Sequence, residues 1–301
     1  PGSRSGKYTS CGVDDCLHHY HQFNINSNVP QLMIEVKDLK KKFEEVEVLK
    51  GITTTFDTGK VNLIIGQSGS GKTVFLKSLL NVYQPSSGEI LFDGRDINKM
   101  SRDEKQILRS EIGTVFQGSA LFDSMTVEEN ITFPLDMFTD LTYREKKRRV
   151  FEVIGRVHLE KANRKFPSEI SGGMQKRVAI ARAIVNNPKY LFCDEPNSGL
   201  DPYTSNIIDD LLLEITKEYN TTTIINTHDM NSVMTIGEKI VYLRLGIKEW
   251  EGNKDILINA GNKNLIDFVY SSELFKELRE YFLETNKTSI DNIITKSNEN
   301  E

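Results

Sequence analysis

Hydrophobic and polar positions alternate with a two-residue period in some segments and recur at helical spacing in others. Short apolar or alternating runs predict strands at residues 33–36, 53–56, 61–65, 89–92, 190–193, 222–226 and 239–243. The last three of these runs alternate with helical segments, which is typical of a mostly parallel sheet. The pattern therefore predicts an α/β fold.

The same pattern divides the chain into segments. Residues 1–32 are polar and aperiodic, so we place the domain start at Met33 and interpret residues 1–32 as a disordered leader, derived from cloning or from upstream translation. The α/β domain is expected over residues 33–250, with a charged helical subdomain inserted at about residues 120–175. Residues 251–283 predict a helical extension and residues 284–301 a polar tail that frays. The extension has an apolar stripe formed by Leu265, Phe268, Val269, Leu274, Phe275 and Leu278.

Composition limits the classes of function. The 301 residues carry a formal net charge of −5 and 38% hydrophobic residues, which fits one or two globular domains with a substantial core. The chain lacks the excess of basic residues that would support binding to nucleic acid. No apolar run approaches the roughly 20 residues that span a bilayer, and no secretory signal is visible, so the cytosol is the expected compartment.

Cysteine and histidine residues near the start raise the possibility of a metal site. The spacing of Cys11, Cys16, His18, His19 and His21 matches no zinc pattern well, so metal binding there is disfavoured. With Cys193 in an apolar run, the chain has three cysteines, which are too few for a disulfide framework.

A glycine-rich segment carries the strongest chemical signal. Residues Gly66 to Thr73 read GQSGSGKT, between a strand that ends at Ile65 and a helix that begins near Lys72. Such a loop directs backbone N–H groups at a phosphate, the lysine adds a positive charge at the β- and γ-phosphates, and the threonine hydroxyl suits Mg²⁺. The segment predicts a nucleoside triphosphate site.

Polar residues follow two later apolar runs. Asp194 and Glu195 follow the apolar residues of KYLFCDEP, and His228 follows the apolar residues of IINTH. A strand end is where an α/β fold presents its site, and in such a site one acid holds Mg²⁺ while a neighbouring carboxylate polarises water. Alone, an acid pair is also an ordinary surface feature, and an isolated histidine is more often structural.

The order of these motifs is similar to that of the ATP-binding cassette (ABC) ATPases. After the phosphate loop come Gln117 in VFQGSALF, the Ser-Gly-Gly of Ser171 to Gly173, the acid pair, Ser198 to Asp201, and His228. The resemblance covers Met33 to about residue 250 and implies a P-loop NTPase fold, with a mostly parallel core sheet, an antiparallel β part and the inserted helical subdomain.

The resemblance also implies roles for individual residues. Glu195, His228, Lys72 and Gln117 are the expected catalytic set; Thr73, Gln117 and Asp194 are expected to hold Mg²⁺. Phe43 is expected to stack on adenine. ATP is expected to contact the loop residues Gly66, Gln67, Ser68, Gly69, Ser70, Gly71, Lys72, Thr73 and Val74. In this family, Ser171, Gly172, Gly173 and Asp201 complete the partner's site, so a head-to-tail homodimer around two MgATP is implied.

The sequence departs from the common ABC pattern at two positions. Met174 follows the Ser-Gly-Gly where many cassettes have glutamine or glutamate, and Gly199 stands where many have alanine. Met174 and the stretch FQGSALFDSMTVEENITFPL resemble the Mla-type (maintenance of lipid asymmetry) phospholipid-transport ATPases of MCE-protein systems. Phe122, Met125, Val127 and Phe133 are then either subdomain core or a groove for a short helix of a membrane partner.

The expected function is that of an ATPase subunit that energises a separate integral-membrane permease, moving phospholipid between membranes together with an MCE-domain protein. It would lie on the cytoplasmic face of the membrane through that permease. Alternatives within the class are lipoprotein release, efflux or solute import. A soluble ABC protein of DNA repair or translation is less favoured, because neither a coiled-coil insertion nor a second cassette is present in the sequence.

Overall fold

The computed structural model describes residues 33–273 and 275–281. The predicted leader with its cysteine and histidine cluster, Leu274 and the predicted tail lie outside these residues. The strands are β1 (Met33–Phe43), β2 (Val46–Asp57), β3 (Val61–Ile65), β4 (Ser87–Phe92), β5 (Arg95–Asp96), β6 (Ile112–Val115), β7 (Tyr190–Asp194), β8 (Thr222–Asn226), β9 (Lys239–Arg244) and β10 (Ile247–Gly252). The helices are α1 (Lys72–Leu79), α2 (Arg102–Ser110), α3 (Val127–Phe138), α4 (Tyr143–Arg156), α5 (Gly172–Ile184), α6 (Pro202–Glu218), α7 (Met230–Ile236), α8 (Lys254–Leu257) and α9 (Lys263–Val269).

Two sheets form the α/β architecture. The first is antiparallel, with strand order β2-β1-β4-β5. The second has the order β10-β9-β3-β8-β7-β6, in which β9, β3, β8, β7 and β6 are parallel and β10 is antiparallel at the edge. The predicted fold class, a mostly parallel core sheet with an antiparallel part, is confirmed.

Helix α1 is packed between the two sheets. Its Phe75, Leu76 and Leu79 are almost fully buried, and the Phe75 ring lies 6.0 Å from the Phe56 ring of β2. They belong to one hydrophobic cluster with Ile64 of β3. Because both the strand before the glycine-rich loop and the helix after it are anchored in this core, the loop between them is held in place.

The inserted helical part packs on the other face of the parallel sheet. Helices α3 and α4 each begin with a capping box, in which a threonine and the glutamate three residues later satisfy each other's backbone N–H groups. Ile131, Val150 and Val153 join Val178 of α5 in a second hydrophobic cluster. Helix α5 then connects the helical part back to β7, the strand that leads to the acid pair.

The chain continues beyond the predicted end of the α/β domain. That boundary, at residues 250 and 251, falls within β10, and α9 packs Leu265 and Val269 into the second cluster. Phe268 stacks on Tyr242 of β9, with ring centroids 5.6 Å apart. The helical extension is therefore attached to the sheet beside the glycine-rich loop. Within residues 33–273 and 275–281, no helix is long and apolar enough to cross a membrane.

Candidate functional site

The glycine-rich loop has a backbone that requires glycine at its ends. Gly66 has φ +150°, and a Cβ there would lie 2.2 Å from the carbonyl oxygen of Leu243. Gly71, at the start of α1, has φ +102°, in the left-handed region that side chains disfavour. The loop can therefore curl back over the end of the sheet, as phosphate binding by backbone N–H groups requires.

Lys72 lies inside this curl. Its Nζ donates hydrogen bonds to the carbonyl oxygens of Gly66, at 2.7 Å, and Gln67, at 3.1 Å. Burial lowers the pKa of Lys72, and the nearby negative charges of Glu195 and Asp194 oppose that shift. The ammonium group is thus positioned within the loop and faces the acid pair, the place where a phosphate chain needs positive charge.

The acid pair, the glutamine and the histidine converge. Glu195 Oε2 accepts a hydrogen bond from Gln117 Nε2 at 2.9 Å, and Glu195 Oε1 lies 3.0 Å from His228 Nδ1. Asp194 is buried, and its Oδ1 accepts from Asn226 Nδ2 at 3.0 Å. These contacts form because β7 and β8 are adjacent parallel strands, so the residues at their carboxyl ends lie side by side.

Sequence reasoning missed a lysine that supports this constellation. Lys176, on α5, is only 5% exposed, and its Nζ donates a hydrogen bond to the backbone carbonyl oxygen of Gln117. Burial lowers the pKa of Lys176, while the charge of Glu195 raises it. The available signal was a lysine one turn before Ala179 and Ile180 on the buried face of α5, since such a position is seldom given to an unpaired charge.

These groups surround a cleft of about 900 Å³. Its lining consists of Val48, Gln67, Ser68, Gly69, Gly71, Lys72, Thr73, Val74, Gln117, Glu195, His228 and Phe268. Most of the predicted ATP-contacting loop is included. Phe268 was predicted only as part of an apolar stripe. Phe43 lies outside this lining, 37% exposed and edge-on to Tyr83 with ring centroids 5.2 Å apart, so its predicted adenine contact stays a prediction.

The Ser-Gly-Gly segment lies elsewhere on the surface. Ser171 caps α5, its Oγ accepting from the Met174 N–H at 3.3 Å, and it is absent from the lining of the cleft. A Cβ on Gly173 would lie 2.7 Å from the Thr204 methyl group, just after Asp201, which caps α6. The two segments predicted to serve a partner's nucleotide are therefore neighbours, beside each other and away from the chain's own glycine-rich loop.

The donor set fits a magnesium ion bound with nucleotide. Thr73, Gln117 and Asp194 would supply a hydroxyl, an amide and one carboxylate, all hard oxygen donors, and Mg²⁺ takes few protein ligands beside phosphate and water. The described residues contain no group of three or more histidine, cysteine or acidic side chains arranged to hold a metal ion by themselves. The residues thus suit a metal that arrives with phosphate rather than a protein-only cage.

A second, apolar groove of about 270 Å³ lies at the junction of the helical part and the sheet. Phe122, Phe133 and Pro134 line it, and the rings of the two phenylalanines lie 4.8 Å apart. Val127, by contrast, is fully buried in the hydrophobic core. The sequence left two interpretations open for Phe122, Met125, Val127 and Phe133. Val127 belongs to the core, the two phenylalanines face the groove, and Met125 is partly buried.

Comparison with known proteins places these features in a family. The ABC transporter family model matches residues 49–198. The chain is 40% identical over 227 residues to a protein of Mycobacterium tuberculosis named probable ribonucleotide transport ATP-binding protein mkl, covering 75% of this chain and 63% of that one. It is 37% identical over 224 residues to methionine import ATP-binding protein MetN 2 of Oceanobacillus iheyensis, covering 73% of this chain and 65% of that one. The chain thus spans less than two thirds of the length of these relatives.

A solved structure is similar over most of the described fold. The dimeric post-hydrolysis state of the ATP-binding cassette MJ0796, bound to ADP and Pi, matches with a TM-score of 0.67 and 34% sequence identity. The match covers 73% of this chain and 98% of that one.

Proposed function

The chain belongs to the ABC transporter family of ATP-binding proteins, and from that membership we propose that it binds MgATP and hydrolyses it to energise a membrane permease. The observation that carries the proposal is the convergence of Gln117 and His228 on Glu195, in a cleft that also holds Lys72. These are the groups that γ-phosphoryl transfer to water needs at one place.

The proposed chemistry follows from the position of each group. The Glu195 carboxylate orients a water molecule and takes its proton as the water oxygen bonds to the γ-phosphorus and the bond to the β,γ-bridging oxygen breaks. Lys72 offsets the negative charge of the phosphates, while His228 and Gln117 hold the carboxylate on opposite oxygens. Thr73, Gln117 and Asp194 would hold Mg²⁺, which would supply positive charge to the phosphates.

We further propose that the working unit is a head-to-tail homodimer. Ser171 to Gly173 and the loop from Ser198 to Asp201 are adjacent, and the former does not line the cleft of its own chain. A helix N-terminus with exposed N–H groups suits a phosphate, here that of the partner subunit. The dimeric form of MJ0796 supports this arrangement.

The transported substrate is proposed to be phospholipid, moved by a permease that works with an MCE-domain protein. Met174 after the Ser-Gly-Gly and the segment around Phe122 support that assignment, and the groove beside Phe133 offers a docking place for a short permease helix. The chain would then lie at the cytoplasmic face of the membrane. Solute import is the second candidate, because the relative MetN 2 is named for methionine import and mkl for ribonucleotide transport.

The hydrolysis proposal is tested by measuring phosphate release from MgATP by the purified chain, with Glu195→Gln as the matched control. We expect turnover in the wild type that the variant lacks, with ATP binding retained in both. Equal phosphate release from both chains would contradict the assignment of Glu195.

The substrate proposal is tested with the partner permease reconstituted together with this chain. We expect ATP-dependent movement of a fluorescent phospholipid in proteoliposomes that contain both proteins, and no ATP-dependent uptake of methionine or ribonucleotides. Uptake of either solute without lipid movement would replace the phospholipid proposal by the import alternative.

A further inference from the structure

Three buried polar side chains form a cluster beneath the loops that carry Glu195 and His228. Asp209 of α6 is 2% exposed, Asn197 is 9% exposed and Ser232 of α7 is 1% exposed. Asp209 Oδ1 accepts a hydrogen bond from Asn197 Nδ2 at 2.7 Å, and Asp209 Oδ2 accepts one from Ser232 Oγ at 2.7 Å. Asn197 Nδ2 also donates to Ser232 Oγ at 3.1 Å. Each member therefore contacts the other two.

The cluster joins segments that are otherwise separate. Asn197 comes two residues after Glu195, and Ser232 comes four residues after His228. Asp209 lies two turns into α6, the helix that Asp201 caps. Helix α6 therefore holds both ends of the loop between Asn197 and Asp201, and through Ser232 it holds the helix that follows the histidine.

The side-chain contact between Glu195 and His228 constrains the two loops only weakly. The contact of Glu195 with His228 is near the surface, since the histidine side chain is 63% exposed. A cavity of about 390 Å³ also separates the two loops, lined among others by Asn197, Thr227 and His228. Exposed ion pairs constrain geometry weakly, whereas buried hydrogen bonds to a carboxylate are strong and directional. The strand ends are joined by the Asn226–Asp194 contact and by a hydrogen bond from the Glu195 N–H to the Asn226 carbonyl oxygen, and beyond them Asp209 adds a buried connection between the residues that follow each strand.

The chemistry of Asp209 sets it apart from an ordinary packing residue. Burial raises the pKa of its carboxyl to about 6; the hydrogen bonds from Ser232 and Asn197 oppose the shift, and the negative charges of Asp229 and Asp210 add to it. Both hydrogen-bond partners are neutral side chains, so its charge at neutral pH lowers stability. Groups retained in such surroundings are concentrated at functional sites.

We propose that Asp209 is a positioning residue for ATP hydrolysis, which ties the Asn197 loop to α7 through Ser232 and so keeps Glu195 and His228 at a fixed separation. Asp209 does not line the cleft and acts through the two residues that it holds. This inference rests on the proposed hydrolysis of ATP. It extends that proposal to a residue outside the cleft.

The first test compares Asp209→Asn with Asp210→Asn, a change of the same chemistry at the next, exposed position of α6. A displacement of reacting groups by a fraction of an ångström lowers rates steeply, so we expect kcat for Asp209→Asn to fall by about 10-fold or more. KM for ATP and the affinity for a non-hydrolysable ATP analogue should stay near wild type. Asp210→Asn should leave kcat unchanged. Equal kcat values for the two variants would overturn the proposal.

A double-mutant cycle separates positioning from a general structural role. If Asp209 acts by placing His228 against Glu195, Asp209→Asn should have little further effect in a His228→Ala background. A merely structural role predicts the same fold-loss in both backgrounds, and that result would also overturn the proposal. Asp209→Ala removes most of the side chain, whereas Asp209→Asn retains its shape. The asparagine variant is therefore the one to measure if the alanine variant does not fold.

A spectroscopic measurement makes the inference independent of turnover. The chain has five histidines, and the ring signal of His228 in a proton NMR spectrum is assigned by its loss in His228→Gln. Asp209→Asn should shift that signal, and Asp210→Asn should not. A wild-type chain without ATPase activity would refute the proposed function, while an unshifted His228 signal would refute the role of Asp209 alone.

Discussion

Pairing two inactive chains tests whether the Ser-Gly-Gly segment serves the partner's nucleotide. Ser171→Arg places a bulky cation where a partner's γ-phosphate contact is proposed, and Lys72→Ala removes the charge inside the glycine-rich loop. Each homodimer should be inactive, because every composite site then contains one lesion. A dimer of one chain of each kind contains both lesions in one site and none in the other, so one site should be restored.

The structure sets the size of the expected effects. Ser171 is exposed and its Oγ makes one capping hydrogen bond, to the Met174 N–H at 3.3 Å. Losing a helix cap lowers the free energy of unfolding by about 1 kcal/mol, which leaves the fold intact. The Ser171→Arg monomer should bind ATP as the wild type does, since the cleft lining excludes Ser171.

The assay is ATP hydrolysis by the heterodimer, purified through a different tag on each chain, together with its permease. One intact site of two sets a ceiling of about half the wild-type rate, and coupling between the sites lowers it further. Each variant homodimer is the control. Loss of ATP binding by the Ser171→Arg monomer, with unchanged circular dichroism, would place the segment at its own chain's nucleotide and refute the reasoning.

Three further predictions concern single residues. Glu195→Gln should keep ATP binding and lower turnover by about 10²- to 10⁴-fold, with an ATP-dependent shift to dimer in gel filtration; near-normal turnover would remove the carboxylate from its role. Gly66→Ala should lower the free energy of unfolding by about 2 kcal/mol or more and abolish nucleotide binding, because its Cβ would lie 2.2 Å from the Leu243 carbonyl oxygen; Gly261→Ala, where nothing lies within 4 Å, is the control for both measurements. The pKa of Asp209 is raised from 3.8 to about 6, so the folded chain loses stability as pH rises from about 4 to 6. Asp209→Asn should therefore be more stable than wild type by up to ~3 kcal/mol at pH 7.5, with the gain shrinking towards pH 4.5 in denaturant titrations; an equal difference at both pH values would contradict the buried charge.

Much of the fold was predictable because its determinants are local. Runs such as residues 61–65, 190–193 and 222–226 are rich in apolar and β-branched residues, as strands buried on both faces tend to be, and the structure has fully buried strands there. Strands β5, β6 and β10 were missed. Strand β5 has two residues and β6 has four, and β10, IKEWEG, is an edge strand with charged residues and little burial, so none of them gives a strong pattern.

One part of the candidate site could be located from the sequence and another part could not. The glycine-rich loop is contiguous, and its glycines, lysine and threonine carry their chemistry within eight residues, so the sequence alone locates it. The residue assignments made through the family resemblance, such as adenine stacking by Phe43, stay predictions. Lys176, Asn197 and Ser232 lie within a few residues of the motifs, yet the sequence could not show what they contact, because their partners Gln117 and Asp209 come from other segments. Phe268 was recognised only as part of an apolar stripe.

The sequence by itself indicated most of the strands, the place of the phosphate loop and the polar residues that follow the strands, since each depends on a few neighbouring residues. Only the tertiary structure decided which of those residues meet. Gln117 and Glu195 are 78 positions apart, and they touch because β6 pairs with β7 and α5 holds Gln117 through Lys176. Strand order in a sheet is chosen by long-range packing and loop closure over the whole chain, and no local pattern records that choice.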